Sequence, residues 1–469
     1  MNLARIATVA CALASAGPAI AAAPRTLQQA LAEAYSNNPQ LQAARAQLRA
    51  TDEGVPQAQA GWRPTVIVTG AVGYAQGTFR QRSTASAISQ GGEITFPNNR
   101  DLFNGNATLT QPLYRGGQTT AATHQANNTV YAQRARLLGT EQQVFLDTVN
   151  AFVGVIQARQ LLALNINNEQ VLARQLQATN DRFRVGEITR TDVAQAEAAL
   201  AGARAQRQTS EGNVQTAYAT YLRQIGEAPQ QLTEPQPLHL PVKAENEAAQ
   251  LASANNPAVI ASLFDNAAAK DNIDLAFSQL MPQLSLQAQA LRQDNSALAG
   301  SRIISAQVLL NASVPIYQGG AEYSRIRQAR QQQQQQQRLV DDARRQAIQA
   351  ATQSWQTLVA ARSTIDSTRA QIRANEVALE GTQREAIVGS RTTLDVLNAE
   401  QALLNSRVTL VQNLTSLITA SYSVAASIGR LTARDLQLNV PLYDDTAYYH
   451  AVRGRLFGTG DYATHQPGR

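Results

Sequence analysis

Cysteine is nearly missing from this chain: Cys11 is the single one, and it lies in an apolar stretch close to the start. The rest can hold neither a disulfide nor a cysteine metal site, so packing and assembly must stabilise the fold. Aromatic residues make up only 5% and tryptophan occurs twice, too little bulk for thick globular cores. Proline is sparse as well, and long stretches of Ala, Gln, Leu, Asn and Arg run without a turn signal. Such a composition suits long helices packed through narrow seams. The four histidines, His124, His239, His450 and His465, have no paired ligand spacing, so no metal is expected. No serine sits in a Gly-x-Ser-x-Gly setting, and the glycine pairs lack the Lys-Ser/Thr of a phosphate loop. The chain reads as no enzyme and needs no cofactor. The net charge of +6 comes from arginines spaced along helical segments, not from a basic run interleaved with aromatics, so nucleic acid is not an expected partner.

Arg5, the apolar run from Ile6 to Ala16 and the small residues from Ala19 to Ala23 read as a secretory leader over residues 1–22, with Cys11 an ordinary hydrophobe inside it. Beyond it, no stretch reads as the roughly 20 consecutive apolar residues of a spanning helix. The chain is then either soluble in the periplasm or crosses a membrane as a β-barrel.

What the sequence does have is an internal repeat. Pro112-Leu113-Tyr114-Arg115-Gly116-Gly117 returns as Pro315-Ile316-Tyr317-Gln318-Gly319-Gly320, and Val185-Gly186-Glu187-Ile188-Thr189-Arg190-Thr191-Asp192-Val193 returns as Val388-Gly389-Ser390-Arg391-Thr392-Thr393-Leu394-Asp395-Val396. Both pairs share an offset of about 203 positions. Upstream, Asn37-Asn38-Pro39 matches Asn255-Asn256-Pro257 at an offset of about 218, so the first copy carries some fifteen extra residues in a surface loop. The organisation expected is a first repeat over 23–226, an equatorial linker over 227–245 rich in proline, a second repeat over 246–430, and a tail over 431–469 that ends in polar residues, Tyr and Gly and is expected to be disordered.

Within each copy the hydrophobic period changes. Leu284, Leu286, Ala288 and Ala290 alternate with polar residues, as do Ile304, Ala306, Val308 and Leu310; Val66, Val68, Val72 and Tyr74 repeat the pattern in the first copy. This predicts amphipathic hairpins over about 65–113 and 283–316, with strands long enough, when tilted, to cross a hydrocarbon layer of about 25–30 Å. Their tips, about 81–100 and 293–302, are expected on the far side of the membrane. A proline-free helical segment follows each hairpin. Leu358, Ile365, Ile372 and Leu379 fall at strict sevens, echoed by Val155, Leu162 and Leu176, the mark of coiled-coil packing. Trp355 is expected in a core, and the Gln331–Gln337 run on a helix face in water. Pro112, Gly116, Gly117, Pro315, Gly319 and Gly320 are read as strand-to-helix turns, and Gly186 and Gly389 as helix-to-helix turns. Four strands cannot close a barrel without bare edges, so oligomerisation is required. A soluble periplasmic coiled-coil adaptor or scaffold is the alternative; it would share the helices but lack the paired amphipathic hairpins.

The doubled Pro-x-Tyr-x-Gly-Gly and doubled Val-Gly-x-x-Thr-x-x-Asp-Val resemble the TolC family of outer-membrane efflux and secretion ducts, over about residues 26–430. The resemblance implies an α+β tandem-repeat fold and a homotrimer whose four strands per chain give a twelve-stranded barrel set in outer-membrane lipid. A long periplasmic coiled-coil tunnel with an equatorial belt continues the barrel. It also implies, as partners, a periplasmic adaptor (membrane fusion) protein and an inner-membrane pump of the ABC or RND type. By the same resemblance Asp192, Arg391 and Asp395 match constriction positions at the tip. Two departures stand out: Ala386 replaces a tyrosine common in the family, and Asn398 replaces a second acidic residue. No cysteine follows the leader, as it does in lipid-anchored members, which points to the non-lipidated branch serving type I secretion and drug export. From the residues themselves, a carboxylate just past a turn suits a helix start, so Asp192 and Asp395 read equally as caps. Arg391 gains nothing from a helix start and is expected to pair with Asp192 of the neighbouring hairpin.

Overall fold

A computed structural model describes residues 26–82, 93–460 and 462. The leader with Cys11, residues 83–92 of the first hairpin tip, and the last residues with His465 lie outside the described residues. The first copy begins with three short helices, α1 (Leu27–Asn37), α2 (Pro39–Asp52) and α3 (Gly54–Gln59), then strands β1 (Thr65–Ala75), β2 (Thr78–Arg82), β3 (Glu93–Pro97) and β4 (Arg100–Arg115). The helices α4 (Gln118–Arg184) and α5 (Arg190–Ile225) complete it. The second copy follows as α6 (Glu245–Asn255), α7 (Pro257–Phe277), β5 (Gln283–Asp294), β6 (Arg302–Ser313), α8 (Ala321–Ile387) and α9 (Thr393–Ser427), and the tail adds α10 (Ala447–Val452). The fold is the α+β tandem repeat that the sequence predicts. α4 and α8 are each 67 residues long, on the order of 100 Å.

Four of the strands form an antiparallel sheet in the order β1-β4-β5-β6, and β2 and β3 form a separate pair. The register of the four-stranded sheet sorts side chains by face. Val66 lies opposite Leu109, Val68 opposite Ala107, Leu109 opposite Ala288, and Ala288 opposite Val308, making one apolar face. The other face pairs Thr108 with Gln289 and Gln289 with Gln307, and side-chain amides link Gln307 to Gln289 (2.8 Å) and Gln289 to Asn106 (2.9 Å). One face suits hydrocarbon and the other water. Among the described residues β1 and β6 have no partner on their outer edges.

The extra residues of the first copy, expected as a loop, build part of an additional hairpin. β2 and β3 pair antiparallel, with Phe79 opposite and in ring contact with Phe96 (5.4 Å between centroids). Arg100 ties the two tips together: its Nε donates to Asn295 O (2.7 Å) and its Nη2 to Ser296 O (3.1 Å). At the other end of β4 the ladder shifts between Pro112 and Tyr114, since proline has no N–H to give. Gly116 and Gly117 turn the chain into α4 with φ of 60° and 83°, and Gly319 and Gly320 into α8 with 70° and 83°. A Cβ at Gly116 would lie 2.3 Å from Met281 Cβ, so glycine there is needed for space as well as for its backbone angle. Pro315 lies between β6 and α8.

Midway along the rod the short helices break at matching Asn-Pro steps. Asn38 caps α2 through its side-chain oxygen and donates Nδ2–H to Gln224 O (3.1 Å) at the end of α5. Asn256 caps α7 likewise and donates to Ser427 O (3.1 Å) at the end of α9. Around this level sits the main core: Leu31, Leu41 and Leu48 from α1 and α2 pack with Phe145, Phe152 and Val155 of α4 and Tyr221 of α5. Leu232, Leu238 and Leu240 of the proline-rich segment cover it. The seam residue Leu358 joins Val242, Val424 and Ile428 in a second cluster, with Trp355 packed against it.

Two expectations are corrected here. By length and composition α4 does contain a window apolar enough to cross a membrane, contrary to the reading that no such stretch exists. Val144, Phe145, Val149 and Phe152 of this helix are buried in the equatorial core, and 33% of the apolar window is buried within the chain. The tail is also ordered from Leu431 to Gly460, not disordered. Leu431 and Leu438 enter the core. Tyr443 N–H donates to Tyr35 Oη (3.0 Å), Tyr448 Oη to Glu53 (2.8 Å), Tyr449 Oη to Asn127 (3.0 Å), and Arg63 Nη1 to Arg455 O (2.7 Å). The tail is a strap that runs from the equator along α2 and α4 to the root of the sheet. Under it, Arg45 is buried between the rings of Tyr35 and Tyr443, 4.5 Å and 5.2 Å from their centroids.

Candidate functional site

The end of the rod away from the sheet is formed by two turns. In the first, α4 stops at Arg184, Gly186 takes φ 79°, and Thr189 caps α5. Asp192 N–H donates to Thr189 Oγ1 (3.4 Å), while Asp192 Oδ2 accepts the Thr189 N–H (3.0 Å) and hydroxyl (2.7 Å). The second turn repeats this: Gly389 has φ 78°, Asp395 N–H donates to Thr392 Oγ1 (3.2 Å), and Asp395 Oδ2 accepts the Thr392 N–H (2.9 Å) and hydroxyl (2.8 Å). Each is a reciprocal capping box, and it satisfies amide donors that the helix start leaves open. These bonds from Thr392, aided by nearby Arg391, hold the Asp395 carboxyl below the usual carboxylate range.

The charged partners differ between the turns. Arg182 donates to Glu187 (Nε, 2.9 Å) in the first, and Arg391 donates to Glu385 (Nε, 2.9 Å) in the second. Arg182 and Glu385 are equivalent positions of the repeat, so the base on the helix end of one copy becomes an acid in the other, and each is paired by an oppositely charged turn residue at a different position: Glu187, which matches Ser390, and Arg391, which matches Ile188. The hydrogen bond from Arg182 lowers the Glu187 pKa, and that to Glu385 raises the Arg391 pKa. Within this chain the guanidinium of Arg391 therefore binds Glu385 and not Asp192. The tie between the hairpins comes instead from Arg182, whose Nη2 donates to Ala386 O (3.4 Å). Asp192, Arg391 and Asp395 thus share one end of the molecule, each engaged within its own turn. Arg182, Glu187 and Glu385 are additions that sequence reasoning missed. The available signal was the charge reversal between the equivalent positions Arg182 and Glu385.

A second charged cluster lies under the strap, at the equator. Burial pushes the Glu141 carboxyl up, against the pull of an N–H bond from Ala433 (2.7 Å) and of Arg45. Asp52 is pushed up to about 7 by burial, with Asp445 and Glu53 adding to the rise and Arg134 opposing it. Among the described residues no group of His, Cys, Asp and Glu could hold a metal ion.

Comparison with known proteins agrees with this architecture. The chain is 34% identical over 442 residues to the outer membrane efflux protein BepC of Brucella suis, covering 93% of this chain and 92% of that protein. It is 26% identical to the outer membrane protein TolC of Escherichia coli over 74% of this chain and 75% of TolC. Among solved structures, the outer membrane protein VceC of Vibrio cholerae superposes with a TM-score of 0.71 at 20% identity, over 86% of this chain and 96% of VceC; at that identity the likeness concerns the fold. The pattern of the outer membrane efflux protein family matches residues 30–227 and 248–430, both copies of the repeat. The chain is a member of the outer membrane efflux protein family.

Proposed function

We propose that three copies of this chain form a passive exit duct for tripartite efflux or type I secretion, opened at the tip by a periplasmic adaptor docked to an inner-membrane pump. The observation that carries this reading is the sheet: one apolar face, one polar face, and two bare edges. Bare edges in a bilayer are untenable, because unpaired backbone groups find no water there. β6 of one chain against β1 of the next continues the antiparallel alternation, and closure puts the amide-rich face around an aqueous lumen. The soluble adaptor or scaffold leaves the apolar face without a purpose. Cargo is selected by pore width and charge, which is the reason no substrate pocket need exist.

At the tip we infer that Arg391 and Asp192 form the latch between neighbouring hairpins in the closed trimer, Arg391 exchanging Glu385 for Asp192, and that copies of Asp395 make an acidic ring favouring cations. Exposed ion pairs are weak individually, so adaptor docking can replace them. Planar-bilayer recording tests both parts. Arg391→Ala should raise conductance with the trimer intact, and Asp395→Ala should reduce cation preference. Unchanged conductance in Arg391→Ala, with only a loss of thermal stability in Asp192→Ala, would leave these residues as caps. A stable monomer in detergent would remove the duct altogether.

A further inference from the structure

Each strand of the sheet is rooted beside an exposed aromatic: Trp62 before β1, Tyr114 at the end of β4, Phe277 ahead of β5 and Tyr317 after β6. Aromatic residues collect at the level of lipid headgroups, where one side of the ring meets hydrocarbon and the other water. The strap ends at this level, because Arg63, two residues before β1, donates to the carbonyl of Arg455 (2.7 Å). The next two residues are Leu456 and Phe457, 73% and 88% exposed, within about 8 Å of that hydrogen bond along the chain. Arg453 and Arg455 precede them and are also exposed, their guanidiniums lying over the rings of Tyr449 (5.9 Å) and Tyr462 (4.0 Å) with N–H groups still open to solvent. Among the described residues no carboxylate forms an ion pair with Arg63, Arg453 or Arg455.

We propose that the end of the strap is a membrane anchor: Leu456 and Phe457 enter the periplasmic leaflet of the outer membrane, and Arg453 and Arg455 bind the phosphates of anionic phospholipids there. Two adjacent large apolar side chains this exposed are unfavourable in water, whereas the headgroup boundary accepts an apolar pair next to cations. The occupant follows from position and charge: the surface continues the aromatic belt and the apolar sheet face, and its cations complement anionic headgroups. The strap then joins the equatorial core to the bilayer on a path separate from the strands.

The test uses the full chain with Cys11→Ser, reconstituted into vesicles of phosphatidylethanolamine and phosphatidylglycerol, with a nitroxide label on Phe457→Cys. Companion labels sit on Val72→Cys, on the apolar sheet face, and on Ser390→Cys at the distal tip. The label at 457 should collide with oxygen and be shielded from a water-soluble nickel chelate, like the one at 72 and unlike the one at 390. Behaviour like that at 390, or shielding from both reagents, as a neighbouring protomer would give, overturns the anchor. If 72 is shielded while 457 is not, only the anchor fails; chelate access at 72 as well would sink the barrel reading along with it. Exchanging phosphatidylglycerol for phosphatidylcholine should increase chelate access at 457, and Arg453→Gln with Arg455→Gln should remove that lipid dependence. Equal access in both lipids would overturn the phosphate contacts.

Discussion

The two copies of the repeat have the same elements in the same order, yet α4 and α8 are buried to different degrees. Phe145 of α4 is fully enclosed while its equivalent on α8, Ile348, is 40% exposed; Phe152 is fully enclosed while its equivalent, Trp355, is only partly covered. Ile156 packs on the equatorial core and its equivalent Val359 is exposed. The cause is position in the arc of helices. α4 packs against both α2 and α7, whereas α8 packs against α7, the repeat equivalent of α2, and among the described residues has no second neighbour of that kind. Equivalent sequence positions therefore face different environments, and α8 follows directly in the chain from β6, the strand with a bare edge. In the proposed trimer both are covered by the next copy, whose α2 and β1 supply the missing neighbours.

The strongest way to break this comparison is to charge the bare face. Val359→Asp should dissociate the trimer in detergent, because an unpaired carboxylate enclosed between subunits costs several kcal/mol at each interface; analytical ultracentrifugation reads the outcome, and an intact trimer would show that α8 faces water. Next comes Phe152→Ala, expected to cost about 3–5 kcal/mol. Trp355→Ala should cost less, about 2 kcal/mol or under, and thermal unfolding followed by circular dichroism would rank the two. The matched glycines that close α5 and α9 offer a finer contrast. Both have positive φ, 94° at Gly226 and 77° at Gly429, but only at Gly429 would a Cβ fall 2.4 Å from a backbone oxygen, that of Asn255. Gly429→Ala should thus lower the melting temperature more than Gly226→Ala, which pays only the left-handed backbone penalty of about 1 kcal/mol. Equal losses would mean that the Asn255 contact relaxes freely.

The smallest effect concerns pH, and it too separates the copies, since the repeat equivalent of Asp52 is Lys270. The Asp52 pKa is raised to about 7 in the folded chain from an ordinary 3.8. Its contribution to stability is therefore greatest below the ordinary carboxylate range and is lost as pH rises toward 7, because the unfolded chain ionises this group earlier. Strap docking, measured by hydrogen exchange over 443–455, should loosen as pH rises from about 4 to about 7, the interval between the ordinary and the folded value, and Asp52→Asn should flatten the response. A strap equally protected at both ends of the range would show that Asp52 is not what titrates.

Much of this was legible because the repeat states everything twice. The Gly-Gly and Val-Gly turns, the Thr capping positions and the period-two strands are local signals that need no partner to be recognised. What escaped reading depends on contacts distant in the chain. The strap has no period, and its order comes from Leu431 and Leu438 entering a core built by α1, α2 and α4, and from tyrosines bonding to residues some 400 positions earlier. The β2–β3 pair was concealed in a loop composition, with Phe79 and Phe96 alone marking it. At the tip the capping role of Asp192 and Asp395 could be read from spacing, but the pairing of Arg391 with Glu385 could not, since it requires knowing how the turn folds back on the helix end.

The paired Asn-Pro breaks have a mechanical meaning. α5 and α9 end at the equator, where Asn38 and Asn256 each hold the final turn by one side-chain hydrogen bond to a carbonyl, while α4 and α8 run on unbroken toward the sheet. A helix held at its end by a single bond is a lever with its fulcrum at the fastening. In the proposed duct, force applied to the tips of α5 and α9 would therefore act about these two asparagines, and the sheet, at the other end of the rod, would be spared.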